Sequence, residues 1–89
     1  MITKVSTIRN KLGLHARAAS AFVKTAQQYA ATVAVTKGPT QADGKNIMSM
    51  MVLGAPKGTE IELCVEGDDE TQAMAALLEL IDQRFGEAE

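Results

Sequence analysis

Glu60-Ile61-Glu62-Leu63-Cys64-Val65-Glu66 alternates apolar and polar side chains at almost every step. Successive side chains of a strand point to opposite faces, so Ile61, Leu63 and Val65 share one side. Glu60, Glu62, Cys64 and Glu66 take the other. A strand with one dry and one wet face is the habit of antiparallel sheets. A wet face leaves only the opposite side for helices, and that restriction decides the fold class.

Working outward, Gly67-Asp68-Asp69 leads into a helix over 70–85, with Asp69 and Gln72 spaced as a capping box. Met74, Leu77, Leu78, Ile81 and Phe85 form its apolar stripe. Gly86 ends it, and an acidic tail follows. Upstream, Asn46 is a strong N-cap for a short helix over 47–53. Gly54 stops that helix and Pro56 prevents its resumption. Gln41-Ala42-Asp43 reads as a short edge strand, and Lys37-Gly38-Pro39-Thr40 as turn chemistry. Thr32–Thr36 reads as a strand, and residues 2–8 as another, rich in β-branched side chains. Between them lies a helix over 16–28, with Ala19, Phe22, Val23, Ala26 and Ala30 on one face. The order is β-α-β-β-α-β-α. It predicts an α+β fold, a two-layer open-faced β-sandwich. A four-stranded antiparallel sheet is covered on one side by three helices.

With 89 residues the chain has room for one domain, 1–89. Its three aromatics are Phe22, Tyr29 and Phe85, so the core must be aliphatic and methionine-rich. The formal charge is −2, without the basic stripe of a nucleic-acid binder. One cysteine, Cys64, allows no intrachain disulfide. With a single histidine it cannot complete a zinc site of the usual ligand count. No metal or other cofactor is expected. Met1-Ile2-Thr3-Lys4-Val5 enters a strand directly, without the apolar run of a signal peptide. No stretch reaches the ~20 apolar residues that span a bilayer. A cytoplasmic monomer without membrane insertion is the expectation.

The single histidine sits in Gly13-Leu14-His15-Ala16-Arg17-Ala18-Ala19-Ser20. A glycine before it and helix formers after it place the imidazole at a helix amino end. Helix amino ends offer unpaired N–H donors and partial positive charge, which hold anions. The same field favours the neutral, nucleophilic ring. Arg17 adds a permanent cation with forked donors. Together these suit a phosphoryl group transiently bonded to His15. A lone histidine before a helix is otherwise a capping or surface residue.

Ile47-Met48-Ser49-Met50-Met51-Val52-Leu53 is almost wholly apolar across two turns. A helix this short cannot bury its whole circumference against one sheet. Some of Ile47, Met48, Met50 and Met51 should therefore face outward; the run reads either as a docking patch, for which flexible, polarizable methionine is suited, or as a deeply buried helix.

Two stretches carry a resemblance. Asn10-Lys11-Leu12-Gly13-Leu14-His15-Ala16-Arg17 and Ala42-Asp43-Gly44-Lys45-Asn46-Ile47-Met48-Ser49 resemble the HPr family, the histidine-containing phosphocarriers of the bacterial phosphoenolpyruvate-dependent phosphotransferase system. The likeness extends over essentially the whole chain, including the Glu66-Gly67-Asp68-Asp69-Glu70 approach to the last helix. It implies a carrier, not an enzyme with turnover of its own. Enzyme I would donate a phosphoryl group to His15 at Nδ1, and EIIA-type acceptors would receive it. It implies that Arg17 stabilises the phosphoryl group, helped by the backbone at Ala16 and Ala18. It also implies docking through Ser20, Lys24, Ile47, Met48 and Met51.

Two departures stand out. Many members have proline at the position of Ala18; alanine keeps the helix and leaves an N–H for the anion. Many have a kinase-targeted serine at the position of Asn46, where asparagine preserves the cap but offers no hydroxyl. Ser49 lies inside the helix and does not replace it, so no regulatory serine is expected. The departures keep open a regulatory, nitrogen-branch-like paralogue that acts by docking rather than in sugar uptake. A reading of another class is a small acylphosphatase-like hydrolase, with the Asn10 amide orienting water. An RNA-binding α/β domain ranks last, because it needs aromatics on a sheet face and no strand here has one.

Overall fold

The computed structural model describes residues 1–89. Strands β1 (Ile2–Thr7), β2 (Thr32–Lys37), β3 (Thr40–Asp43) and β4 (Glu60–Glu66) form one sheet in the order β1-β4-β2-β3. Every neighbouring pair is antiparallel. Helices α1 (Ala16–Ala26), α2 (Ile47–Leu53) and α3 (Glu70–Asp82) complete the fold, with a one-turn 3₁₀ helix at Arg84–Gly86.

The alternation in β4 is realised side chain by side chain. Ile61, Leu63 and Val65 are buried, Glu60, Glu62 and Glu66 are exposed, and Cys64 is half-buried. Val33 and Val35 of β2 lie opposite Val65 and Leu63 in register and enter the same core. Phe22, Val23 and Ala26 of α1 and Ala73, Met74, Leu77 and Ile81 of α3 cover them. The expected edge strand is β3, joined to β2 by the two-residue Gly38-Pro39 loop.

Four local expectations need correction. α1 ends at Ala26 rather than at 28, because the Gln28 and Tyr29 amides reach only three residues back, to Thr25 and Ala26. Ala30 consequently leaves the apolar face and is exposed. Asp69 flanks α3 but does not cap it. Its carboxylate instead accepts the Ala30 N–H at 2.8 Å and the Ala31 N–H at 2.9 Å, latching the exit of α1 to the start of α3. The Ala30 bond and then the Ala31 bond hold its carboxyl below the usual aspartate value, against desolvation. Finally, α3 ends at Asp82. Arg84 and Phe85 adopt left-handed backbone, φ 57° and 56°, so Phe85 reaches the core through a turn and not through helical periodicity.

Candidate functional site

The loop between β1 and α1 is held by backbone bonds. Leu14 N–H donates to the Ala55 carbonyl at 2.8 Å, which fastens the loop to the segment leaving α2. Gly13 makes the approach possible. Its φ is +68°, and a Cβ there would lie 2.5 Å from the Ala55 carbonyl oxygen and 2.8 Å from Pro56 Cα. Any side chain at residue 13 would push the histidine loop off the α2 exit.

His15 follows as the N-cap of α1, in extended backbone with φ −82° and ψ −176°. Its Nδ1 accepts the Arg17 N–H at 3.4 Å, a long contact, and its carbonyl accepts the Ala19 N–H. On the other side of the ring, Nε2 lies 2.5 Å from Glu87 Oε2. The partners assign the tautomer. Nδ1 faces a donor and so presents its lone pair; Nε2 faces a carboxylate and so carries the proton. The ring is part-buried, its side chain 29% exposed. Ala16 and Arg17 are exposed at this helix end, whereas Ala18 is completely buried. Ala16, Arg17 and Ala18 form the first turn, where helix N–H groups have no intrahelical partner; the first intrahelical bond is that of Ala19 to the His15 carbonyl. His15, Ala16, Arg17 and Glu87 line an open cleft of about 700 Å³ with Lys11 and Leu12.

Glu87 was not among the expected site residues. Its Oε1 accepts an N–H of Asn10 at 2.9 Å. The second Asn10 N–H goes to the Gly13 carbonyl at 2.7 Å. Asn10 is wholly buried, with its Oδ1 unpartnered. The Asn10 amide holds the Glu87 carboxyl below the usual glutamate value; desolvation opposes this, and His15 and Arg17 add to it. Lys11 secures the same segment, its amide donating to the Glu89 carbonyl and its ammonium 3.6 Å from the Glu89 carboxylate. No sequence periodicity connects residue 87 to residue 15, and the acidic stretch after Gly86 reads as a solvated tail. The placement of Asn10 also bears on the hydrolase reading. Both amide hydrogens are committed internally, so none is left to orient water.

The second predicted region is a surface as expected. Ile47, Met48 and Met51 are exposed, and Met48 most of all, at 70%. Met50 is the member of that run that turns inward, with Leu53. Val52 of the same helix is also exposed, at 78%, and Leu12, 68% exposed, lies in the cleft beside His15; neither is among the expected site residues. The signal for Val52 was its position four residues after Met48 on the helix. Ser20 is half-buried and Lys24 exposed on α1, which packs against α2. Asn46 caps α2 as expected, its Oδ1 accepting the Ser49 N–H at 2.9 Å, and left-handed Gly54 closes it. Ser49 Oγ accepts the Asp43 N–H, so its hydroxyl serves the turn before the helix.

No helix is long and apolar enough to cross a membrane. Residues 2–83 match the family described as the PTS HPr component phosphorylation site. A phosphocarrier protein HPr of Neisseria meningitidis serogroup B is 51% identical over 89 residues, all of both chains. One from Pseudomonas aeruginosa is 52% identical over 84 residues, 93% of each. Among solved structures, HPr-C-His from Thermoanaerobacter tengcongensis superposes with a TM-score of 0.95 at 42% identity, covering all of both chains.

Proposed function

Because the chain belongs to the HPr family of phosphocarrier proteins, we propose that His15 Nδ1 takes a phosphoryl group from phosphorylated Enzyme I and yields it to EIIA-type acceptors. The observation that carries this reading is the orientation of the ring. Its unprotonated nitrogen faces the amino end of α1 while the other nitrogen is tied to Glu87.

The chemistry asks little more of this chain. Phosphoryl transfer depends mainly on positioning and on stabilising charge over the phosphoryl oxygens. The backbone amides of Ala16 and Ala18 and the guanidinium of Arg17 supply donors where those oxygens arrive, within the field of the helix amino end. The partner supplies the group in line and the electron pair leaves with the partner. The protein acts as a substrate of its partners and not as an enzyme. It works in the cytoplasm, as a monomer, with residues 1–89 acting as one unit.

Docking falls to Ile47, Met48 and Met51 of α2, joined by Ser20 and Lys24 of α1. An exposed apolar patch beside a transferable group lets one surface serve successive partners, and methionine repacks readily against different shapes. The test is incubation with phosphoenolpyruvate and Enzyme I, followed by mass measurement and site mapping. A gain of one phosphoryl group, acid-labile and on His15, is expected. Modification of a chain carrying His15→Ala under the same conditions overturns the assignment. A panel of EIIA acceptors then tells sugar uptake from a regulatory branch.

A further inference from the structure

We infer that Glu87 is a positioning residue for this transfer: its carboxylate keeps the proton on His15 Nε2, leaves the Nδ1 lone pair facing the amino end of α1, and offsets the charge the ring gains when Nδ1 bonds to phosphorus. The inference rests on the phosphocarrier reading above.

Three features show that the contact is built. First, both Glu87 oxygens are engaged, Oε2 by His15 Nε2 at 2.5 Å and Oε1 by Asn10 at 2.9 Å, so the carboxylate cannot rotate freely. Its side chain is only 13% exposed, although two of its near neighbours, Gly86 and Ala88, are exposed. Second, the backbone is bent to bring it there. Arg84, Phe85 and Gly86 all have positive φ, at 57°, 56° and 82°. For the two non-glycine residues this conformation is disfavoured, because it brings Cβ too close to the following carbonyl oxygen. Burial of Phe85 offsets that strain and pins the turn. Third, Asn10 leaves its Oδ1 buried and unpartnered, at the cost of that oxygen's desolvation. Rotating the amide by half a turn would set that oxygen against the Gly13 carbonyl and the Glu87 carboxylate, two acceptors. The orphaned oxygen is the consequence of aiming both N–H groups, one of them at Glu87.

The step balances without an added reactant. The Nδ1 lone pair forms the N–P bond, and the bond from phosphorus to the donor breaks with its electron pair going to the donor. No proton leaves His15. The ring, with Nε2–H intact and Nδ1 quaternised, becomes cationic beside the ionised Glu87. When the group moves on, the N–P electron pair returns to Nδ1 and the ring is neutral again. A carboxylate on the far nitrogen therefore serves both directions. A second partner that fixes the tautomer of a functional imidazole is worth about 10–100-fold in activity at metal sites, and the same logic applies here.

The experiment compares the wild-type chain, Glu87→Ala, Glu87→Gln, Glu87→Asp and His15→Ala. Two readouts are used: the rate of phosphorylation by phosphoenolpyruvate with Enzyme I, and the imidazole nitrogen NMR spectrum of the unphosphorylated protein. Glu87→Ala is expected to slow phosphorylation by about 10–100-fold and to mix the two neutral tautomers, which the wild type keeps apart. Glu87→Gln slows it as well, since it retains an acceptor but not the charge, and Glu87→Asp recovers part of the rate. A merely structural role would leave the nitrogen spectrum unmoved. Wild-type rates in both Glu87→Ala and Glu87→Gln, with an unchanged spectrum, overturn the role of Glu87 while leaving the carrier reading intact. Equal phosphorylation of His15→Ala and wild type overturns the carrier reading itself, and this inference with it.

Discussion

At the amino end of α2, Asn46 Oδ1 accepts the Ser49 N–H at 2.9 Å; at the amino end of α1, His15 Nδ1 accepts the Arg17 N–H at 3.4 Å. Asparagine is among the best N-caps, and its short side chain saturates an orphan amide with good geometry. The imidazole sits in the same extended backbone but at a distance that contributes little. Its nitrogen thus remains available to a better electrophile, and the helix-end amides remain available to a better anion. One helix end has been satisfied for stability, while the other has been left under-satisfied. The amino end of α3 follows a third course, since its flanking Asp69 serves the amides of Ala30 and Ala31 instead of its own helix.

The largest effect should come from deleting the loose cap. His15→Ala is expected to abolish phosphorylation by phosphoenolpyruvate and Enzyme I while the far-ultraviolet dichroism of the folded chain persists. Loss of fold instead would mean that the 3.4 Å contact is a true cap, and the contrast with α2 would collapse. Next is Arg17→Ala. Its guanidinium is exposed and makes no ion pair, so the thermal midpoint should stay nearly constant. The rate of phosphoryl transfer should fall by about a hundredfold, the scale for removing one preorganised donor from a developing charge. A large drop in melting temperature with a small drop in rate would reverse the roles assigned to the two helix ends.

Asn46→Ala is the complementary change. It should destabilise the fold by about 1 kcal/mol, which lowers the melting temperature by roughly 4–8 °C for a domain of this size. Phosphorylation of His15 should remain at the wild-type rate when assayed well below that temperature. A matching loss of rate would show that α2 positions the histidine loop as well as packing beneath it, through the Leu14–Ala55 bond.

The contrast also explains what could be read from the residues in advance. Asn46 with Gly54, and the alternation from Glu60 to Glu66, obey rules that act within one turn or one strand, so their signals lie side by side in the chain. His15 before α1 was legible for the same reason, as was the outward face of Ile47, Met48 and Met51. The His15–Glu87 contact joins residues 72 apart in sequence. It depends on left-handed backbone at Arg84 and Phe85, a conformation that no local preference of those residues announces. Asp69 was misread because its spacing to Gln72 fits a capping box, yet two amides of another segment offer its carboxylate more than its own helix does. Local patterns therefore reached the layers and the histidine at the amino end of α1, and missed the carboxylates that act at long range.

Those carboxylates give the smallest expected effect, a change in the acid limb of stability. Backbone amides hold Asp69 below its usual value, and Asn10 first, then His15 and Arg17, hold Glu87 below its own. A carboxyl depressed in the folded state stabilises the fold above its unfolded value, near pH 4, and that contribution is lost as pH falls through the folded value. Melting temperature followed from pH 7 down to pH 2 should therefore drop less steeply in Asp69→Asn than in wild type. The two curves should converge at the acid end, because the variant lacks at neutral pH what the wild type loses on protonation. Glu87→Gln should show the same convergence and, in addition, the slower phosphorylation that Asp69→Asn does not share. Parallel curves for Asp69→Asn would mean that the Ala30 and Ala31 bonds are equally served by a neutral acceptor. The latch at α3 would then be one of shape and not of charge.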